Sequence, residues 1–413
     1  MLTTIAHYLQ IPPWEAGPLA VFWAALVLIA GALLGEVVHR RLGIPRIVGY
    51  SAIGSLLAIF GTGVGDARLI GGLGLIVDIA LALLLFELGS RVRLGWLRSN
   101  PALLLTSLGE ALLSFAAICL VLRLFGVETN VALACATITV STSGAVVGRV
   151  ATELGASGQV TERMLVLTAL NTTFAVLAHR LVIGWLHLDV GGDWVQGVSQ
   201  PLYVFMGSAL IALLLAKVVA TAMRRLDLNN ENSVLLLLGL VAVAVTGARL
   251  LNLSPLLVPL MAGVVLRNTT ERPWVWPRHF GTAGGVMVLM LFVIVGSAWT
   301  LETIAAGALL ATALIVARIL AKATAIVGLG RASGIDMRQS LALSVTMLPI
   351  SGTTLVLYAE LYRTHPAFAL QLGPIVLTAV ALMELVGPIA VQRALRAARE
   401  YEPPVRRPLE TRR

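Results

Sequence analysis

Residues 139–144 read Thr-Val-Ser-Thr-Ser-Gly and residues 347–352 read Met-Leu-Pro-Ile-Ser-Gly, each inside an apolar run long enough to cross a bilayer. Glycine and proline weaken helix continuity, while Ser and Thr hydroxyls satisfy backbone groups that an interrupted helix leaves free. The two stretches stand 208 residues apart, Gly144 against Gly352. Alone, each reads equally well as small residues that allow close helix packing. As a pair at corresponding places in the two halves of a chain, they point to a binding site made by discontinuous helices. The candidate break residues are Ser141, Thr142, Ser143 and Gly144 in the first stretch, and Pro349, Ser351 and Gly352 in the second.

The same spacing recurs outward from the breaks. Pro45 and Gly54 align with Pro255 and Gly263, LLLFELGS ending at Ser90 with LMLFVIVGS ending at Ser297, and VLTAL at 166–170 with VLTAV at 376–380, all at offsets of 207–210. Such self-similarity marks an internal repeat.

Composition sets the medium. Of 413 residues, 58% are hydrophobic and 12% charged, with mean hydropathy +0.91. Soluble domains carry about 25% charged residues, so a cytosolic enzyme is excluded and an all-α polytopic membrane protein is expected. At about 20 apolar residues per crossing, thirteen spans are read near 18–38, 46–61, 69–88, 102–125, 130–150, 164–186, 201–225, 232–251, 254–268, 280–299, 303–327, 340–361 and 371–393. Residues 17–186 form a first six-helix repeat, 201–225 a linking helix, 232–396 a second repeat and 397–413 a basic tail. Seven spans separate the starts of the repeats, and an odd number inverts the second, a plan common among secondary transporters.

The net charge of +9 reports topology. Twenty-two of the 30 basic residues fall on one side with the tail, five on the other, and Lys217, Arg318 and Lys322 lie within spans. The positive-inside rule puts the C-terminus in the cytoplasm and the N-terminus outside. No nucleic-acid partner is implied. Cys119 and Cys135 stand singly in apolar runs without metal-ligand spacing, so neither a cofactor nor a metal centre is expected.

With these motifs in view, the chain resembles the second branch of the monovalent cation:proton antiporter superfamily, the sodium/hydrogen exchanger type. The resemblance rests on LGIPRIVGY, LLFELGSRVRLGWLR, STSGAVVGRVATELGASGQVTERMLVLTALN, ARILAKATAIVGLGRASG, TMLPISGTTLVL and MELVGPIAVQRAL. It implies a homodimer in the lipid bilayer with a scaffold and a mobile core where two interrupted helices cross. Beside the crossing, a carboxylate on the sixth span binds a cation or a proton in turn. A lysine on the eleventh span interacts with that site, and Lys322 fits it better than Arg318. This chain departs from the pattern at Asn171-Thr172-Thr173, where relatives carry Asp-Asp or Asn-Asp. Thr172 occupies the ion-binding position, and a hydroxyl does not supply a full charge.

Ionisable residues at membrane depth are functional hypotheses by default. Asp78 is the leading candidate for a relocated proton site, alone or paired with Lys322. Asn171, Thr172, Asp78 and Lys322 are thus the candidates for ion binding or coupling. Glu110 and Arg318, equivalent at offset 208, read as a structural ion pair between the repeats, and Glu384 as structural too. His179 titrates near neutrality as a free side chain but reads as reaching the interface. Three functions stay open. The first is proton-coupled antiport of Na⁺ or K⁺ by alternating access. The second is an uncoupled or anion-handling carrier. The third is a non-transporting sensor or scaffold.

Overall fold

The computed structural model describes residues 16–60, 67–189, 194–225, 231–270, 280–350 and 352–402. Ser351, one of the expected break residues, and most of the tail lie outside them. The described residues are helical throughout, with no strand. Helices α1 (Ala16–Val37), α2 (Arg46–Phe60) and α3 (Ala67–Ser90) lead through the short α4 (Leu94–Ser99) to α5 (Pro101–Leu124). The fifth expected span divides into α6 (Thr129–Thr139) and α7 (Gly144–Glu153), followed by α8 (Gln159–Asp189), α9 (Trp194–Arg225), α10 (Glu231–Leu250) and α11 (Leu257–Thr269). Then come α12 (Phe280–Gly296) and α13 (Leu301–Gly330). The twelfth span divides into α14 (Met337–Thr346) and α15 (Gly352–Thr364), and α16 (Pro366–Ala398) closes the chain.

Local chemistry sets these boundaries. Asn100 accepts from the Leu103 amide at 3.2 Å ahead of Pro101 at the first helical position of α5, a cap followed by a residue whose missing N–H costs nothing there. At α14, Asp336 accepts from the Gln339 amide at 2.7 Å while Gln339 accepts from the Asp336 amide at 3.1 Å, a reciprocal capping box.

Seven helical segments among the described residues are long and apolar enough to cross a membrane, and three shorter ones are apolar too. Their outer faces carry leucines in contact with the surroundings, among them Leu33, Leu105, Leu120, Leu202 and Leu309, each more than 60% exposed or at that level. The polar residues have gone the other way: Glu110, Lys322, Arg318, Asn171 and Glu384 are at most 1% exposed. Apolar outside and charged inside is the arrangement a hydrocarbon solvent demands.

Two apolar cores meet at α3 and α11, which contribute to both. The larger also joins α2, α5, α6, α7, α8, α12, α13, α14, α15 and α16, and the smaller joins α9 and α10. The long helices α5 and α13 pack against each other, and that contact builds the site. Two glycine contacts fix neighbouring helices. A Cβ on Gly54 of α2 would lie 2.1 Å from the Val293 carbonyl oxygen of α12, and one on Gly263 of α11 would lie 2.2 Å from the Phe86 carbonyl oxygen of α3.

Candidate functional site

The interruptions face each other. The Ser143 amide donates to the Pro349 carbonyl at 2.9 Å, and the Thr142 hydroxyl donates to the Met347 carbonyl at 2.9 Å. Thr354 donates to the Ile138 carbonyl at 3.2 Å and stands 3.5 Å from the Ser141 hydroxyl. Ser143 caps α7 by accepting from the Val146 amide at 3.3 Å, and Gly144 and Gly352 open the helices that follow. Thr354 was not picked out from the sequence; a hydroxyl two residues past a break in an apolar helix is the signal that marks it.

Four half-helix ends meet here, and the C-terminal ends of α6 and α14 present carbonyls with no partner inside their own helices. Arg318 of α13 supplies one. Its guanidinium donates to the Leu348 carbonyl at 2.5 Å, the Ser141 carbonyl at 2.9 Å and the Thr142 hydroxyl at 3.3 Å. A helix C-terminus carries roughly half a negative charge. These carbonyls hold the always-charged guanidinium by hydrogen bonds, while the N-terminal ends of α7 and α15 carry the opposite partial charge.

This geometry corrects the pairing expected from the repeat offset. Glu110 is joined not to Arg318 but to Lys322, one helical turn further along α13, in an ion pair in which both side chains are fully buried. The other carboxylate oxygen of Glu110 accepts from the Asn171 side-chain amide at 2.6 Å. Residues four apart share a helix face, so α13 presents Arg318 to the broken helices and Lys322 to α5 and α8. Asn171, Lys322 and Glu110 are therefore brought together. Thr172, also fully buried, turns its hydroxyl back to the Thr168 carbonyl at 2.9 Å.

Asp78 is not part of this group. Its carboxylate pairs with Arg249 of α10 at 2.5 Å in the wall of a cavity of about 580 Å³. The same cavity is lined by Arg363 and by the Arg180–Glu360 pair, 2.5 Å apart. A second cavity of about 250 Å³ lies further along α3, against Glu87 and Arg91, with Arg149 and Thr152 of α7 on its far wall. Glu384 on α16 accepts from the Ser51 hydroxyl at 3.3 Å. His179 does not reach the surface: α8 runs ten residues further, and the ring is buried with Nδ1 3.3 Å from the Thr137 hydroxyl. Among the described residues no three His, Cys, Asp or Glu side chains converge as metal ligands.

The arrangement is thus a buried polar centre where two interrupted helices meet, with cavities along one neighbouring helix. Among the solved structures, the chain is similar to the sodium proton antiporter MjNhaP1 of Methanocaldococcus jannaschii, with a TM-score of 0.71 at 15% identity, over 92% of this chain and 96% of that one. At that identity the likeness is one of fold. None of the curated proteins matches the sequence. The family model described as "Sodium/hydrogen exchanger, transmembrane" matches residues 24–397, nearly all of the described helices. With the apolar exterior, that match makes the chain a multi-pass membrane protein of the sodium/hydrogen exchanger family.

Proposed function

We propose that the chain exchanges a monovalent cation, Na⁺ or K⁺, for protons by alternating access, as a homodimer with its N-terminus outside the cell and its C-terminus in the cytoplasm. The observation that carries this reading is the fully buried Glu110–Lys322–Asn171 cluster beside the crossing of the two interrupted helices. A carrier needs a site that holds charge away from bulk water and opens to one side at a time. Buried ionisable groups at broken helices supply the first requirement, and cavities at two levels along α3 are suited to the second.

Residues 17–186 and 232–396 act as inverted repeats joined by 201–225. The glycine contacts support this: Gly54 and Gly263 are repeat equivalents, and so are their partner helices α12 and α3. Asn171 and Thr172 contribute the polar side chains of α8, with Thr172 standing where relatives carry an acid.

A second reading, an uncoupled or anion-handling carrier, draws on Thr172 and on the excess of Arg318 and Lys322 over Glu110. The Ser141 and Leu348 carbonyls that occupy the Arg318 guanidinium, and the Glu110 carboxylate that occupies Lys322, favour the first. Purified protein in liposomes with an internal pH-sensitive dye decides. Proton movement triggered by Na⁺ or K⁺ is expected. Folded protein that gives no response to Na⁺, K⁺ or Li⁺ overturns the exchange reading, and chloride-driven flux with no cation requirement would establish the second.

A further inference from the structure

Exchange of a cation through this site needs a full negative charge to hold it, and α8 no longer provides one. Among the buried carboxylates, Asp78 is held by Arg249 and Glu360 by Arg180, both against the larger cavity, and Glu384 sits across α16 with Ser51. Glu110 alone of these touches the α8 site. It reaches Asn171 from α5 at 2.6 Å, and its second oxygen holds Lys322. Asn171 adds an independent sign of a ligand: its Oδ1 is fully buried and has no hydrogen-bond partner. A buried amide oxygen left unmatched is costly and calls for a partner such as water or an ion. Rotating the amide brings that oxygen to the carboxylate side, and carboxylate and carbonyl oxygens are the ligands hard cations take.

We infer that Glu110 is the cation-binding carboxylate of this chain, with Asn171 Oδ1 as its companion ligand, and that the entering cation displaces Lys322. The inference rests on the exchange reading above. The charged groups facing Glu110 are Arg318 and Lys322 of α13; α8 faces it with Asn171, and α6 carries no charge. Arg318 is held by the Ser141 and Leu348 carbonyls whether or not a cation is present, and Lys322 is neutralised by Glu110, so the Glu110–Lys322 pair holds no net charge before the cation arrives. An added cation would leave one buried positive charge uncompensated, which burial strongly disfavours. Loss of one proton from the Lys322 ammonium, leaving the neutral amine, removes it. No other bond changes, and the proton passes to water on the side to which the centre is open. One proton leaves for each monovalent cation bound.

The test uses the purified full chain, with calorimetric titration of NaCl, KCl and LiCl and the liposome assay run in parallel. E110Q alone strands a buried lysine and can fail to fold, so the informative variant is E110Q/K322Q, which keeps the centre neutral. It is expected to lose cation affinity by a hundredfold or more while remaining monodisperse and helical. E110Q/T172D is expected to regain binding by returning the acid to α8. A folded E110Q/K322Q that binds and exchanges cations like the parent overturns the inference and leaves the exchange reading intact. A parent chain with neither binding nor flux overturns both.

Discussion

Arg318 donates to the carbonyl oxygen of Ser141 at 2.9 Å from a helix 177 positions further along the chain, and the same guanidinium holds Leu348 at the end of the other interrupted helix. One side chain therefore ties both breaks to α13. An interrupted helix is stable at membrane depth only if its freed backbone groups are satisfied by protein. Arg318, Thr142 and Thr354 do this for the C-terminal ends of α6 and α14.

Removing that tie has a definite cost. Arg318→Met leaves two buried carbonyls without donors, at about 1–3 kcal/mol each, and unfolding in detergent is expected to begin several degrees lower. Arg318→Lys keeps the charge but replaces a planar fork by a single ammonium, which cannot span Leu348 and Ser141 together. Its loss should be intermediate. Thermal scans of the parent and both variants check the order; a methionine variant as stable as the parent contradicts it.

The glycine contacts give a sharper contrast. Gly54→Ala and Gly263→Ala drive a methyl group to 2.1 and 2.2 Å from backbone carbonyl oxygens, and backbone does not yield as a side-chain tip does. Each is expected to destabilise by about 1–3 kcal/mol or more through overpacking. Gly239→Ala at an exposed position of α10 meets nothing within 4 Å and should be neutral or stabilising by up to about 1 kcal/mol through helix propensity. The same thermal scans distinguish the two classes.

Helix positions and breaks were legible in the sequence because each has a local cause. Apolar runs bounded by Pro101, Pro366 and Asp336 begin where those residues permit, and the interruptions fall where Ser143, Gly144, Pro349 and Gly352 weaken the helix. Partner choice was not legible. The repeat offset links Glu110 to Arg318 at 208 positions, whereas the ion pair forms at 212, a difference of one turn. Arg318 and Lys322 share a face of α13, and sequence spacing cannot choose between them. What decides is the axial position of α13 against α5, together with the carbonyls that claim Arg318. Asp78 pairs with Arg249 and not with Lys322 for a related reason: mid-span position says nothing about Arg249, which arrives from a helix distant in sequence.

The end of the described chain bears on the site helix. Arg399 adopts a left-handed backbone conformation that turns Glu400 onto the start of α8, where its carboxylate accepts from the Val160 and Thr161 amides at 2.8 and 2.7 Å and from the Thr161 hydroxyl at 2.8 Å. Those amides are among the four that a helix start leaves unpaired, and an acid there also meets the positive end of the dipole. Glu400→Ala is expected to loosen this end by about 1–2 kcal/mol. Hydrogen exchange of a peptide covering residues 157–165 should quicken roughly five- to thirtyfold, with α13 unchanged. Equal exchange in both proteins would mean that the cap contributes nothing.

The proposed use of Glu110 on α5 as the cation-binding acid has a consequence for the driving force. If a monovalent cation enters the centre as Lys322 gives up one proton, the loaded and the protonated centres carry the same charge, and their movement across the bilayer transfers none. Transfer of one elementary charge across 100 mV would be worth about 2.3 kcal/mol, roughly fiftyfold in an equilibrium ratio. Liposomes clamped with valinomycin at 0 and −100 mV and tested with Na⁺, with Na⁺-free vesicles run alongside to subtract any exchange of the clamp's own K⁺, are therefore expected to reach the same final pH gradient within a factor of two in proton ratio. A gradient that shifts with the clamp by tenfold or more would mean that more than one proton moves per cation, and that a second titrating group shares the work of Lys322.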